Sequence, residues 1–322
     1  MIKQIILCLL GFSVVALASN AAVFMNTPWE AKTAGMGGAV TSVYGQFNTP
    51  AVNPAGLYGN QKRNASITTY RIIDADYTVL NFISPTWFQS VLGISTVVVM
   101  VDGGKETVYD RTQHQYVHTG RYFGYAGDGM QVSLARSVFK HTRHAELNWD
   151  IDVIAGVTAR WVNERLTDYR ASGNGLDIGT LTILKHDWLS QRGWKHISWG
   201  LSVQNSAQSG IRWNTASKRQ SDMPKIIRTG LGLQSTHNTL LTIDVHKRTN
   251  RDASIILGGQ YYVSPFTPIR VGITPNQSLS FGLGVYIGSL QFDTSITTAM
   301  RQANSADTTN LDVVRLTMGV VF

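Results

Sequence analysis

"DVVRLTMGVVF", residues 312–322, decides how the rest of the chain is read. Val314, Leu316, Met318, Val320 and Phe322 fall on one face of an extended strand; Val313, Arg315, Thr317, Gly319 and Val321 fall on the other. Side chains of period two alternate across a sheet. Here one face is wholly apolar and ends on an aromatic, while the other carries a guanidinium, a hydroxyl and a glycine. A strand with lipid on one side and a polar lumen on the other reads this way. A soluble sandwich strand also alternates, so the weight lies in repetition.

The repetition is sustained. "SLSFGLGVYIG" (278–288) sets Leu279, Phe281, Leu283, Val285 and Ile287 against Ser280, Gly282, Gly284, Tyr286 and Gly288. "LLTIDVHK" (240–247), "HISWGLSVQNS" (196–206) and "WDIDVIAGVTARW" (149–161) behave alike. Alternating segments fall near 64–73, 76–84, 89–101, 128–138, 149–162, 175–185, 196–206, 225–235, 239–248, 252–263, 268–275, 279–288, 290–300 and 312–322. They number about fourteen, an even count, as a closed single-chain outer-membrane barrel requires. Short links (235–238, 288–289) contrast with long ones expected at 102–127, 163–174, 207–224 and 301–311. Short periplasmic turns and longer outer loops give that asymmetry. The terminal Phe322 after an amphipathic strand fits the sorting signal of such barrels.

Composition agrees. Charged residues make up 15%, below the roughly 25% of soluble domains, while 30 Gly, 8 Trp and 12 Tyr are plentiful. Beyond the N-terminus no stretch is long and apolar enough for a membrane-spanning helix. The net charge is +8, but the basic runs "NQKR", "KHTRH", "SKRQSDMPK" and "HKRTNR" are scattered between periodic segments. Nucleic-acid binding needs them gathered on one face. Scattered link charges instead suit solvent or contact with outer-membrane lipid and lipopolysaccharide.

Residues 1–21 read as a signal peptide: Lys3, an apolar run from Ile5 to Leu17, then the small-x-small sites Ala16-Leu17-Ala18 and Ser19-Asn20-Ala21. Cleavage there would remove Cys8, the only cysteine, and with it any thiol chemistry. The expected organisation is a signal at 1–21, an N-terminal hatch at 22–62 and a transmembrane β-barrel at 63–322. Eight strands already give an interior filled by side chains or one small ligand, so fourteen need a plug. The stretch 34–59, "AGMGGAVTSVYGQFNTPAVNPAGLYG", is small, turn-rich and nearly uncharged. Thr49-Pro50 and Asn53-Pro54 set turns, and Met36, Val40, Val43, Phe47, Val52 and Leu57 are too apolar for a disordered leader.

"GMGGAV" followed by "NTPAVNPAGL" resembles the N-terminal hatch of the FadL-type outer-membrane transporters of long-chain fatty acids and other hydrophobic compounds. The later succession "GNGLDIGTL", "WGLSVQNS", "DMPKIIRTGLGL", "IILGGQYYV", "IRVGITP" and "SFGLGV" is closer to the PorV-type branch of that superfamily. The resemblance covers nearly all the mature chain. It implies a fourteen-stranded barrel with an N-terminal plug, and a hatch motif at Asn53, Pro54, Ala55, Gly56 and Leu57. Two departures temper what it implies about transport. At about 300 mature residues the chain is shorter than typical fatty-acid transporters, and the family's strand kink has no assignable residue.

The function expected is a channel for a hydrophobic or amphipathic small molecule. The alternative is a PorV-like, non-transporting barrel that serves protein secretion or surface assembly with a protein partner. The predicted lumen face carries Asp152, Arg160, Asp177, Arg228, Asp244, His246, Asp293 and Arg315. In a lumen such groups pair with one another or with the plug. Arg228, His246 and Arg315 are the candidate contacts for an amphipathic ligand, an arginine offering a bidentate fork to a carboxylate. No GxSxG or HExxH is present, so no enzyme activity, catalytic residue or cofactor is expected. The spacings of His114 with His118 and of His141 with His144 lack carboxylate or thiolate support, and no metal site is expected.

Overall fold

The computed structural model describes residues 22–45, 50–110, 112, 114–142, 149–215, 220–298 and 312–322; the signal-peptide segment lies outside them. Sixteen strands follow in order. β1 (Asn64–Ile72), β2 (Ala75–Pro85), β3 (Ser90–Asp110), β4 (Gln115–His141), β5 (Trp149–Leu166), β6 (Tyr169–His186) and β7 (Trp194–Gln208) lead. The short β8 (Ile211–Trp213) and β9 (Gln220–Ser221) come next. β10 (Ile226–Ser235), β11 (Thr239–Arg248), β12 (Ser254–Ser264), β13 (Thr267–Ile273), β14 (Leu279–Ile287), β15 (Leu290–Thr298) and β16 (Val313–Val321) complete the set.

Each strand pairs antiparallel with its neighbour, β7 passes directly to β10, and β1 pairs with β16. The result is a closed barrel of fourteen strands, with β8 and β9 forming a small flap on the upper part of β6. Closure removes every sheet edge, which lipid requires because it offers no hydrogen bonds to an unpaired backbone.

The period-two reading holds strand by strand. Leu231, Leu241, Ile243, Leu257, Ile269, Phe281, Leu283, Leu316 and Met318 face outward and are exposed. Their neighbours Arg228, Thr242, Asp244, Gln260, Arg270, Ser280, Arg315 and Thr317 face inward and are buried. An apolar exterior with a polar interior inverts a soluble protein and marks a lipid-facing wall. Trp87, Phe88, Trp188 and Phe266 are exposed in links at the end where β1 begins and β16 finishes, as interfacial aromatic girdles are.

Two links differ from expectation. The stretch 102–127 is no loop: β3 and β4 continue as a hairpin of 21 and 27 residues, where a tilted span needs about 9–11. The stretch 163–174 is likewise strand on either side of a tight turn after Leu166. Clear of lipid, both faces of these extensions meet water, so the apolar alternation that reveals a strand fades. β3 to β7 thus form a tall wall, while β10 to β16 are 7–11 residues long. Of the four links expected to be long, the described parts of the first three lie at the end opposite the girdle; the last, 301–311, falls outside the described residues.

Candidate functional site

The barrel's packed core lies on its inside and is made largely by the N-terminal segment. Phe24, Met25 and Trp29 join Tyr70, Val79, Val97, Val99 and Val162 of the wall in one cluster. Met36, Val40, Val43 and Val52 close on Leu240 in a second. Small inward residues admit the segment. A Cβ on Gly200 would strike the carbonyl oxygen of Thr41, and one on Gly272 the backbone of Met36 and Gly37.

Polar wall groups hold the segment at intervals. Glu164 accepts the Ala22 N–H at 3.0 Å, Asp244 the Thr41 N–H at 2.9 Å and Thr317 the Ala31 N–H at 3.0 Å. Lys32, in the one-turn helix Ala31–Gly35, donates to Gln291 at 2.6 Å and lies 3.6 Å from Asp293. Asp293 also receives Arg270 at 2.7 Å. Tyr44 packs against His196. Burial pushes its phenol above the usual range, and the Asp152 carboxylate adds to the rise.

The motif at 53–57 has a local cause for each residue. Asn53 is fully buried, donates to the carbonyls of Thr41 (2.7 Å) and Thr180 (3.1 Å), and accepts the Ala55 N–H. It caps a single 3-10 turn, Pro54–Leu57, whose first position suits the fixed φ of Pro54. Ala55 lies against Gly156, and Leu57 covers Gly93. Gly56 hydrogen-bonds back to Asn53 and accepts from Gly45.

The three candidate ligand contacts differ in their surroundings. Arg315 donates to the Pro28 carbonyl at 3.1 Å and lies over the Tyr70 ring at 4.7 Å. Arg228 and His246 are register partners on β10 and β11, and Ser202 of β7 flanks Arg228. Arg228 Nε, His246 Nε2 and Ser202 Oγ are buried without a hydrogen-bond partner among the described residues. This row lies one inward step beyond the row of Gly200, Gly230 and Asp244 that touches Thr41. It is on the side toward the long links. Unpaired buried polar atoms are costly and uncommon, so three in one row mark a place for a polar group or water. Asp244, which neighbours His246 on the same face, spends one carboxylate oxygen on the segment.

One site was not legible in advance. Leu176 pairs with Ala207 but Ile178 with Val203, so β7 bulges by two residues around Asn205. Asn205 takes a left-handed backbone (φ 52°) and gives its N–H to Asp177 at 2.8 Å. Asp177 is ion-paired to the fully buried Arg160. Arg160 lies 3.5 Å from the carbonyls of Met25 and Ala51, and Gln204 donates to Ala51 and Val52. The bulge thus turns the Gln204 amide and an ion pair onto the segment, while the Asn205 side chain donates to the Pro224 carbonyl at 2.8 Å. Asp177 and Arg160 show in the alternation, but the bulge does not, because "WGLSVQNS" alternates cleanly up to the insertion. Of the histidine pairs, His144 lies outside the described residues, and His118 accepts the Gly120 N–H. The described residues include no cluster of metal-ligating side chains.

A closed fourteen-stranded wall with an apolar exterior and a polar, packed interior defines a transmembrane β-barrel of the bacterial outer membrane. The fold is similar to that of two solved proteins. A deltaS2S3 mutant of the TodX monoaromatic hydrocarbon channel is 12% identical, with a TM-score of 0.56 over 91% of this chain and 97% of that one. A Pseudomonas aeruginosa FadL homologue is 13% identical, with a TM-score of 0.52 over 91% and 98%. No protein-family model and no curated protein matches the sequence.

Proposed function

We propose that the chain is an outer-membrane channel for hydrophobic or amphipathic small molecules, with residues 22–62 as a hatch that moves to let them pass. The observation that carries this reading is the juxtaposition of that segment with the unpartnered row of Ser202, Arg228 and His246. A ligand entering from the long-link end would have to pass the segment where Glu164, Arg160 and Gln204 hold Ala22, Met25 and Ala51 before it reached the row. An anionic end group would satisfy Arg228 and His246 there. Arg315, now on the Pro28 carbonyl, would become available as the segment shifts, so that binding and opening favour one another. The similarity in fold to a monoaromatic hydrocarbon channel and to a FadL homologue supports the substrate class.

A lock on the segment tests this. A Cβ on Gly129 would meet the Met25 sulfur, so the double variant Met25→Cys/Gly129→Cys can form a disulfide between segment and wall. The mature chain has no other cysteine. In cells lacking other uptake routes, the reduced variant should take up labelled toluene or a long-chain fatty acid like the wild type, and the oxidised one should not. Uptake by both forms would refute a moving hatch. No uptake by any form, together with a protein co-purifying on the barrel, would support the PorV-like reading instead.

A further inference from the structure

The upper, outward face of the tall wall carries a cleft of about 710 Å³ that plays no part in the lumen chemistry. Its floor is built in rows fixed by strand register. Met130 of β4 and Trp161 of β5 are paired, outward and exposed, and they end the apolar belt there. The next outward row holds Asp128, Asn163, Ser172 and Arg212 on β4, β5, β6 and β8. The row beyond holds Arg165 directly opposite Arg170.

Charge along these rows is unbalanced. Asp128 is taken by the Asn163 amide at 2.8 Å. Glu164 faces inward and binds Ala22 and Tyr125. Arg165, Arg170 and Arg212 are exposed and have no ion pair among the described residues. Like charges placed directly opposite on paired strands repel, so an anion between Arg165 and Arg170 would stabilise the wall. Height identifies which anion. Same-face residues are about 7 Å apart along a strand, and a headgroup layer is about 5–8 Å thick on each side of the hydrocarbon. On a strand tilted about 45° each step rises about 5 Å, so the row of Asp128 and Arg212 lies within that layer. Arg165 and Arg170, about 10 Å past Trp161, reach back into it with their long side chains.

We propose that this cleft binds the phosphorylated headgroup of an outer-leaflet lipid of the lipid A type. Arg165, Arg170 and Arg212 clamp its phosphates, and Asn163 supplies a neutral donor. Guanidinium forks suit phosphate oxygens at an interface better than lysine does. The proposal stands apart from the channel reading, since it uses only the outer face.

The test uses the full-length protein in detergent, titrated with bis-phosphorylated lipid A and followed by native mass spectrometry. The triple variant Arg165→Gln/Arg170→Gln/Arg212→Gln is compared with a charge-matched triple beside β10 and β11, Lys225→Gln/Lys247→Gln/Arg251→Gln. Each cleft arginine removed should lower affinity about fivefold, and all three about a hundredfold; the control should stay within about twofold of wild type. The single variant Arg212→Gln, whose own strand β8 lies off the barrel, gives the fivefold step should the triple fail to fold. Dephosphorylated lipid A should bind the wild type no better than the triple variant. Equal losses in both triples would reduce the cleft to general charge attraction and overturn the site. Competition by inorganic phosphate at concentrations equal to the lipid would make it a free-anion site and overturn the lipid assignment.

Discussion

Asn53 shows how much one side chain settles. Its amide donates to two carbonyls, one in its own segment and one on β6, while its carbonyl oxygen caps the turn that follows. No other residue type of that size both donates twice and accepts. Asn53→Asp would set a carboxylate against two carbonyl oxygens, and Asn53→Ala would leave both without a donor. A buried polar group left unpaired costs about 1–3 kcal/mol, so Asn53→Ala should loosen the segment by about 2–4 kcal/mol while the wall stays intact. Hydrogen exchange across 50–58 is the readout, with barrel integrity checked by heat-modifiable electrophoretic mobility. Protection equal to wild type would show that Pro54 and the packing of Leu57 suffice. The turn at Asn53-Pro54 was legible in the sequence, but the geometry around it was not. Nothing in "NTPAVNPAGL" says that Thr41 and Thr180 accept from Asn53, because one lies 12 residues away and the other 127.

At the scale of the element, β7 carries the informative irregularity. Asn205 sits in a left-handed conformation that Gly adopts freely and β-branched residues resist. Asn205→Gly keeps that backbone but removes the donor to the Pro224 carbonyl at 2.8 Å and should cost about 1–3 kcal/mol, and Asn205→Val should cost about 1–3 kcal/mol more. Asp177→Leu should cost about 3–5 kcal/mol, because it strands a buried guanidinium. Denaturant unfolding of the barrel in detergent, followed by tryptophan fluorescence, ranks the three. An Asn205→Val protein as stable as Asn205→Gly would mean that the bulge relaxes into regular register. The alternation of Val314, Leu316 and Met318, or of Leu241, Ile243 and Val245, reveals strands because lipid demands an apolar residue at every outward position. Where that demand ends the reading ends too. Tyr116, Val117 and Tyr122 on β4 are all exposed regardless of parity, so the hairpin they build reads as a loop. Asn205 leaves no pattern at all, since a bulge changes register without changing residue type.

The whole molecule joins two solvents and keeps them apart through its interior. Lipid covers the outward Leu, Ile and Phe side chains. Inside, the apolar side chains of Phe24, Met25, Trp29, Met36, Val40 and Val43 fill space that fourteen strands enclose and their own inward residues do not. Each such side chain contributes about 1.5–3 kcal/mol when taken from water, yet its attachment to the wall is by separate hydrogen bonds at Glu164, Asp244, Thr317 and the Arg160–Gln204 group. That combination suits a seal that holds at rest and can shift without unfolding the barrel. If the segment is the barrier, a chain lacking residues 22–62 but keeping its signal should insert as a barrel and conduct ions in a planar bilayer, whereas the full chain should be silent. The inward Arg160, Arg228, Arg270 and Arg315, with Asp152, Glu164, Asp177, Asp244 and Asp293, would then line a wet pore carrying both signs of charge. A silent deletion variant with an intact barrel would place the barrier in the wall itself, with those buried charges collapsed onto one another, and would leave the segment a role in folding alone.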